Sequence, residues 1–149
     1  MKNNFESFLN KYLTDLVTSI KKSNLKSIES VSSHIIKTVN NRGTIYVCGN
    51  GGSAAISNHY VCDYLKFLRQ HSKLKPKVVS LSSNIEIITA ISNDINYDQI
   101  FKYQAENLFE KKDLLIIISS SGNSKNIKEV LKFAKKKKVK VVGFSGFDG

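Results

Sequence analysis

At 149 residues, 41% hydrophobic and 23% charged, the chain has the length and composition of one ordinary globular domain. No apolar run approaches the roughly 20 residues of a membrane span. The N-terminus mixes acids with apolar residues and has no small-residue cleavage site, so it is not a signal peptide and a cytoplasmic protein is expected. The net charge of +11 comes from 23 basic residues, all lysine except Arg42 and Arg69. Readers of base edges and bidentate phosphate clamps lean on arginine, so this charge reads as solvated lysine and not as a nucleic-acid interface.

In chain order, Phe5, Phe8, Leu9, Tyr12, Leu13, Leu16, Val17 and Ile20 recur at i, i+3, i+4, i+7, an amphipathic helix over 5–20. Leu25, Ile28, Val31, Ile35, Ile36 and Val39 mark a second helix, stopped at Gly43. Residues 1–42 thus form a helical pair, and the wide stripe of the first helix predicts a contact with another subunit. From residue 43 the pattern changes to strand–loop–helix units. Thr44–Cys48 is strand-like, followed by a glycine loop and a helix from about Ser53 to Arg69. Pro76 precedes a second strand, Lys77–Leu81, and helical patterns follow at about 84–92 and 97–110. Asp113–Ser119 is a continuous apolar strand, the pattern of a parallel strand buried on both faces. A serine-rich loop, a helix through Ile127, Val130, Leu131 and Ala134, and a fourth strand, Lys140–Ser145, complete the chain. The alternation predicts an α/β fold, a doubly wound parallel sheet sandwiched by helices and preceded by the helical pair. The two cysteines, Cys48 and Cys62, show no CxxC spacing and read as two buried free thiols. The last strand has no helix to cover it, which suggests a fragment.

Two strand-to-helix loops have the chemistry of anion sites. A helix N-terminus offers free N–H groups and the positive end of a dipole. In Gly49-Asn50-Gly51-Gly52-Ser53, glycines allow close approach of a ligand to the backbone. In Ser119-Ser120-Ser121-Gly122-Asn123-Ser124, hydroxyls are the donors, and four serines around one helix start can surround a phosphate without a lysine. An N-cap needs only one such residue. Gly49-x-Gly51-x-x-Ala54 matches the dinucleotide fingerprint formally, but the next strand ends Ser80-Leu-Ser-Ser83 without the acid that would bind a ribose. The Gly-Lys-Ser/Thr of a nucleotide P-loop is absent, so no nucleotide cofactor is expected. His59 and Asp63, four apart on the helix after the first loop, share a face and can bind a metal or act as acid and base, although a satisfied, partly buried pair is the commoner meaning of that spacing. Asn93 and Asp94 form another polar pair able to close over the same crevice; a plain helix-end turn is their alternative reading.

The segments VCGNGGSAAISNHYVCDYL, ITAISNDINYDQIF, IISSSGNSKNI and VVGFSGFDG, in this order, resemble the sugar isomerase (SIS) domain family, most closely its phosphoheptose isomerase branch. The resemblance runs from about Asn41 to Gly149, making 43–149 the SIS domain, and the two leading helices also suit the family. It implies a five-stranded parallel sheet, a homotetramer with active sites between subunits, and conversion of sedoheptulose 7-phosphate to D-glycero-D-manno-heptose 7-phosphate for surface heptose or lipopolysaccharide. By residue, it implies that Asn50, Gly51, Gly52 and Ser53 contact the sugar phosphate, that Asn93 and Asp94 line the site, and that Ser119, Ser120, Ser121 and Ser124 hold the phosphate. His59 is then a zinc ligand, one zinc per subunit, and Asp63 stands at the catalytic position, also a ligand. Two features depart from the family. Position 63 carries Asp where the family has Glu, one methylene longer, and the family continues past FDG to a strand and a helix that supply a Gln and a His. A non-catalytic SIS-domain regulator that binds a phosphosugar and a replication initiator is the alternative reading.

Overall fold

A computed structural model describes residues 2–147, as two compact units that divide between Ser32 and Ser33. The first holds helix α1 (Lys2–Lys21) and the start of α2 (Leu25–Asn40). Asn24 caps α2: its side-chain oxygen accepts from the Ser27 N–H at 3.1 Å. Within this unit the apolar stripe of α1 is uncovered, with Phe5, Phe8 and Ile20 all more than 60% exposed. No helix among the described residues is long and apolar enough to cross a membrane.

The second unit is built on four parallel strands: β1 (Thr44–Gly49), β2 (Lys77–Ser80), β3 (Leu114–Ser119) and β4 (Lys140–Ser145), in the order β2-β1-β3-β4. Between them run α3 (Gly52–Cys62), a π-helical segment (Asp63–Leu68) and α4 (Arg69–His71), then α5 (Ile85–Asp94), a 3-10 turn (Tyr97–Gln99), α6 (Ile100–Leu108) and, after β3, α7 (Lys125–Lys136). The strands fall within a residue of the expected positions. The expected helix over 53–69 forms but changes to π geometry at Asp63, a change that apolar periodicity does not register.

Strand alternation sorts the core. Tyr46, Cys48 and Leu115 join Phe101, Ala105, Ile127, Val130 and Ala134 from α6 and α7 in one apolar cluster. Ile45, Val47, Leu114 and Ile116, also fully buried, alternate to the opposite face, the one α3 covers. Burying each such side chain is worth about 1.5–3 kcal/mol. Asp113 fixes the entry to the sheet: its carboxylate accepts from the Thr44 N–H at 2.8 Å and the Glu110 N–H at 2.7 Å, tying the start of β1 to the turn before β3. The resemblance implied five strands, and four lie among the described residues.

The cysteine expectation needs one correction. Cys48 is buried, and burial pushes its thiol well above the usual range, whereas Cys62 is exposed. A residue on a central strand has both faces covered, but one on a covering helix can face outward. A thiol reagent at neutral pH is expected to label one cysteine of the folded protein promptly and the second only after denaturation; prompt labelling of both would contradict this packing.

Candidate functional site

The order β2-β1-β3-β4 reverses direction between β1 and β3, and in open α/β sheets ligands bind outside the carboxyl ends of the strands at that switch point. Gly49, the last residue of β1, is paired in register with Ile118, so the glycine loop and the serine loop leave the sheet side by side. A Cβ on Gly49 would stand 2.6 Å from the Ser53 side chain and 2.8 Å from the Ile118 carbonyl oxygen, so only glycine lets α3 turn this tightly off the sheet. Gly51 adopts φ 54°, in the left-handed region. Around Gly51 and Gly52 an added Cβ would meet nothing within 4 Å, leaving this face of the loop open.

The two loops differ from the third strand-to-helix connection, after β2, in how their helices begin. α5 is capped in the ordinary way, the Asn84 side chain accepting from the Ile87 N–H at 2.9 Å. α3 begins at Gly51, which has no side chain to cap with, and α7 begins at Ser124, whose hydroxyl makes no cap bond. The Asn50 carbonyl accepts from the Ser53 N–H at 2.9 Å and the Asn126 side-chain oxygen from the Ile127 N–H at 2.9 Å, so what these two helix starts keep for an anion is the N–H groups of their first residues, Gly52 and Lys125. Ser119 is buried at the end of β3, and Ser120 and Ser121 are exposed. The loop closes on itself through Gly122 N–H to the Ser119 carbonyl (3.1 Å) and Asn123 N–H to the Ser121 hydroxyl (3.2 Å). Its Ser120 carbonyl accepts from the Gly146 N–H at 2.9 Å, joining it to the end of β4. Lys128 reaches the rim, bonded to Asn123 Oδ1 at 2.9 Å.

Asn50 and Asn126 bond reciprocally: Asn50 Nδ2 donates to Asn126 Oδ1 at 2.9 Å, and Asn126 Nδ2 to Asn50 Oδ1 at 2.8 Å. The Tyr97 hydroxyl donates to the same Asn50 oxygen at 3.0 Å. Neither partner was foreseen. Asn126 is 1% exposed, and the one available signal was a polar residue at a position i, i+4 with buried Val130. Nothing local distinguished Tyr97. Ser82 also supports the loop, its hydroxyl bridging the Gly49 N–H (3.1 Å) and carbonyl (2.9 Å).

His59 and Asp63 do pair, Nε2 to Oδ1 at 3.3 Å, but on the outer face of their helix with side chains 73% and 54% exposed. The expected partial burial is therefore corrected: α3 turns Ser57 inward and bonds Asn58 to Ser80 (2.6 Å), which leaves the next residue facing out. Beside the pair, Tyr60 and Tyr64 stack at 4.6 Å and share a hydrogen bond of 3.0 Å. Burial first, and then that hydrogen bond, hold the Tyr64 phenol above its usual range. Asn93 and Asp94 bond to each other at 2.8 Å and are exposed; it is Tyr97, three residues on, that reaches the glycine loop.

The SIS domain profile matches residues 8–146. The chain belongs to the SIS domain family. A phosphoheptose isomerase from Campylobacter concisus is 38% identical over 125 residues, covering 84% of this chain and 66% of that protein. One from Helicobacter pylori is 41% identical over 118 residues, covering 77% of this chain and 59% of that protein. The chain thus spans about two thirds or less of the length of these relatives. The structure of a phosphoheptose isomerase from Neisseria gonorrhoeae superposes with a TM-score of 0.86 at 27% identity, over 99% of this chain and 76% of that one. The SIS fold of those neighbours has the same parallel sheet flanked by helices.

The glycine geometry separates folding from binding in this SIS domain. Gly49→Ala is expected to lower the thermal midpoint by several degrees, because its Cβ meets backbone and side chain that cannot easily shift. Gly52→Ala should leave the midpoint unchanged or slightly raised, since alanine favours a helix start and meets nothing. Thermal melts of the two variants check this; equal losses would contradict the open face.

Proposed function

We propose that the chain carries the substrate-binding core of a phosphoheptose isomerase, which converts sedoheptulose 7-phosphate to D-glycero-D-manno-heptose 7-phosphate for surface heptose or lipopolysaccharide. The observation that carries the reading is the pair of uncapped helix starts at one switch point, one glycine-lined and one hydroxyl-lined. Family membership and relatives named phosphoheptose isomerase give it a substrate. Ser119, Ser120, Ser121 and Ser124 hold the phosphate, with the N–H groups at the start of α7 adding donors. The open backbone of Gly51 and Gly52, with Ser53 beside it, takes the sugar hydroxyls, and Asn93 and Asp94 border the same side.

The reaction is proton transfer through an enediolate. Asp63 removes the proton next to the carbonyl, and His59 at 3.3 Å is placed to carry a proton onward. Placing the enediolate oxygens against fixed donors stabilises the charge that develops. The outward direction of this pair suits a site completed by a second subunit, and the bare stripe of α1 supplies a surface for assembly. We place the protein in the cytoplasm as a homotetramer. Zinc fits only in part: tetrahedral zinc takes four ligands, His59 and Asp63 offer two, and no group of three His, Cys, Asp or Glu occurs among the described residues. No step here runs through a metal.

The full-length protein, with the strand and helix that the resemblance adds after this chain, is expected to form the heptose 7-phosphate when incubated with sedoheptulose 7-phosphate and followed by NMR. Asp63→Asn should slow turnover roughly a hundredfold or more, the range for losing a general base. Binding without turnover would remove the isomerase reading and favour the phosphosugar-binding regulator, for which the shorter Asp63 in place of Glu is the motivating feature. Light scattering is expected to give about four times the monomer mass, and Phe8→Asp with Leu16→Asp to lower it; a monomeric parent chain would contradict assembly through α1.

A further inference from the structure

The amide pair of Asn50 and Asn126 is saturated in a way that changes the part each residue can play. Asn50 Oδ1 accepts from both Asn126 Nδ2 and the Tyr97 hydroxyl, which fills the two acceptor positions of an amide oxygen. Asn126 Oδ1 accepts from Asn50 Nδ2 and from the Ile127 N–H at 2.9 Å, and is filled as well. Only one N–H of Asn50 is left for a ligand. The resemblance gives Asn50 a direct contact with the sugar; the geometry gives its side chain a different task.

We infer that Asn126 and Tyr97 are positioning residues that clamp Asn50 and so fix the glycine loop against the serine loop. Three segments meet at one oxygen atom: the loop after β1, the 3-10 turn that follows α5, and the first turn of α7. Asn126 follows Ser124 by two residues, so the helix turn that ends the proposed phosphate grip is the one bonded to the glycine loop. Because Asn126 is 1% exposed, its amide has no water to fall back on, and breaking the pair leaves its Nδ2 a buried donor without a partner. The distance between phosphate and reacting carbons is a property of the substrate, and the clamp sets the matching distance in the protein. The ligand meets the glycine loop through its backbone, and Asn50 contributes mainly by holding that backbone still. Tyr97 extends the clamp to the turn just beyond Asn93 and Asp94, which the rest of the site does not otherwise touch.

The inference rests on the isomerase reading for its kinetic consequence but not for its structural one, and the test separates the two. The full chain is compared with Asn126→Ala, Asn126→Asp, Tyr97→Phe and Asn50→Ala by hydrogen exchange and by turnover of sedoheptulose 7-phosphate. Exchange at the amides of residues 49–54 is expected to rise about tenfold or more in Asn126→Ala and Asn50→Ala, and to rise no further in the double variant. Turnover should fall roughly a hundredfold in Asn126→Ala, mainly in kcat, as expected for misplacement of about 1 Å. Tyr97→Phe, which keeps the amide pair, and Asn126→Asp, which keeps the shape but loses a donor, should fall between. A merely structural Asn126 would lower the thermal midpoint and leave kcat below that midpoint unchanged. Unchanged exchange at 49–54 in Asn126→Ala, or additive effects in the double variant, would overturn the clamp. If the unsubstituted full-length protein shows no turnover, the isomerase reading fails and the exchange result alone decides the clamp.

Discussion

The register of β1 against β3 is the constraint on which the rest of the site depends. Gly49 opposite Ile118 brings two chain reversals to the same edge of the sheet, about 4.8 Å apart in the pairing direction. Each reversal launches a helix, and parallel strands oblige both helices to start at that edge. Two positive dipole ends then converge on one place. Asp113 holds the opposite end of the same strand pair by accepting from the backbone of Thr44 and Glu110. A slip of one residue in this pairing would send Cys48 and Leu115 to different faces and separate the loops.

What the chain does with those converging helix starts is a matter of polar bookkeeping. Where an ordinary helix is needed, at α5, it supplies Asn84 as a cap. At α3 and α7 it does not, even though Ser124 stands at the capping position with a hydroxyl to spare. Leaving helix donors unpaired costs stability unless water or a ligand takes them. The side chains nearby are largely used within the loops: Asn126 takes one α7 donor, the Ile127 N–H, and otherwise binds Asn50, and Ser82 binds the backbone of Gly49. The loops are thereby made stiff and left open at once, which is the requirement for holding a small anion.

The sheet and its helices were legible in the sequence because burial writes itself in periods. Leu114 to Ile118 could only be a strand covered on both faces, and Ile127, Val130 and Ala134 could only be one side of a helix. The anion loops were legible because glycine and serine at a strand end carry an unusual meaning. The contacts between the loops were not. Asn50 and Asn126 are 76 residues apart, and their pairing depends on where the sheet places two turns, not on any local pattern. Tyr97 reaches Asn50 from an exposed 3-10 turn for the same reason. The spacing of His59 and Asp63 correctly predicted a pair but could not tell which way it faces; that was decided by Ser57 and Asn58, which α3 turns toward the sheet. The π segment beginning at Asp63 escaped because a wider turn over six residues leaves no trace in apolar spacing.

The central claim is that the loop from Ser119 to Ser124 grips the phosphate while the glycine loop faces the sugar. A crystal structure of the chain with sedoheptulose 7-phosphate tests it most directly. The account predicts phosphate oxygens within hydrogen-bonding distance of the Ser120, Ser121 and Ser124 hydroxyls and the N–H groups at the start of α7, with the sugar extending along Gly51 and Gly52. Phosphate seated on the glycine loop, or on the lysines at the opposite end of the sheet, would contradict it.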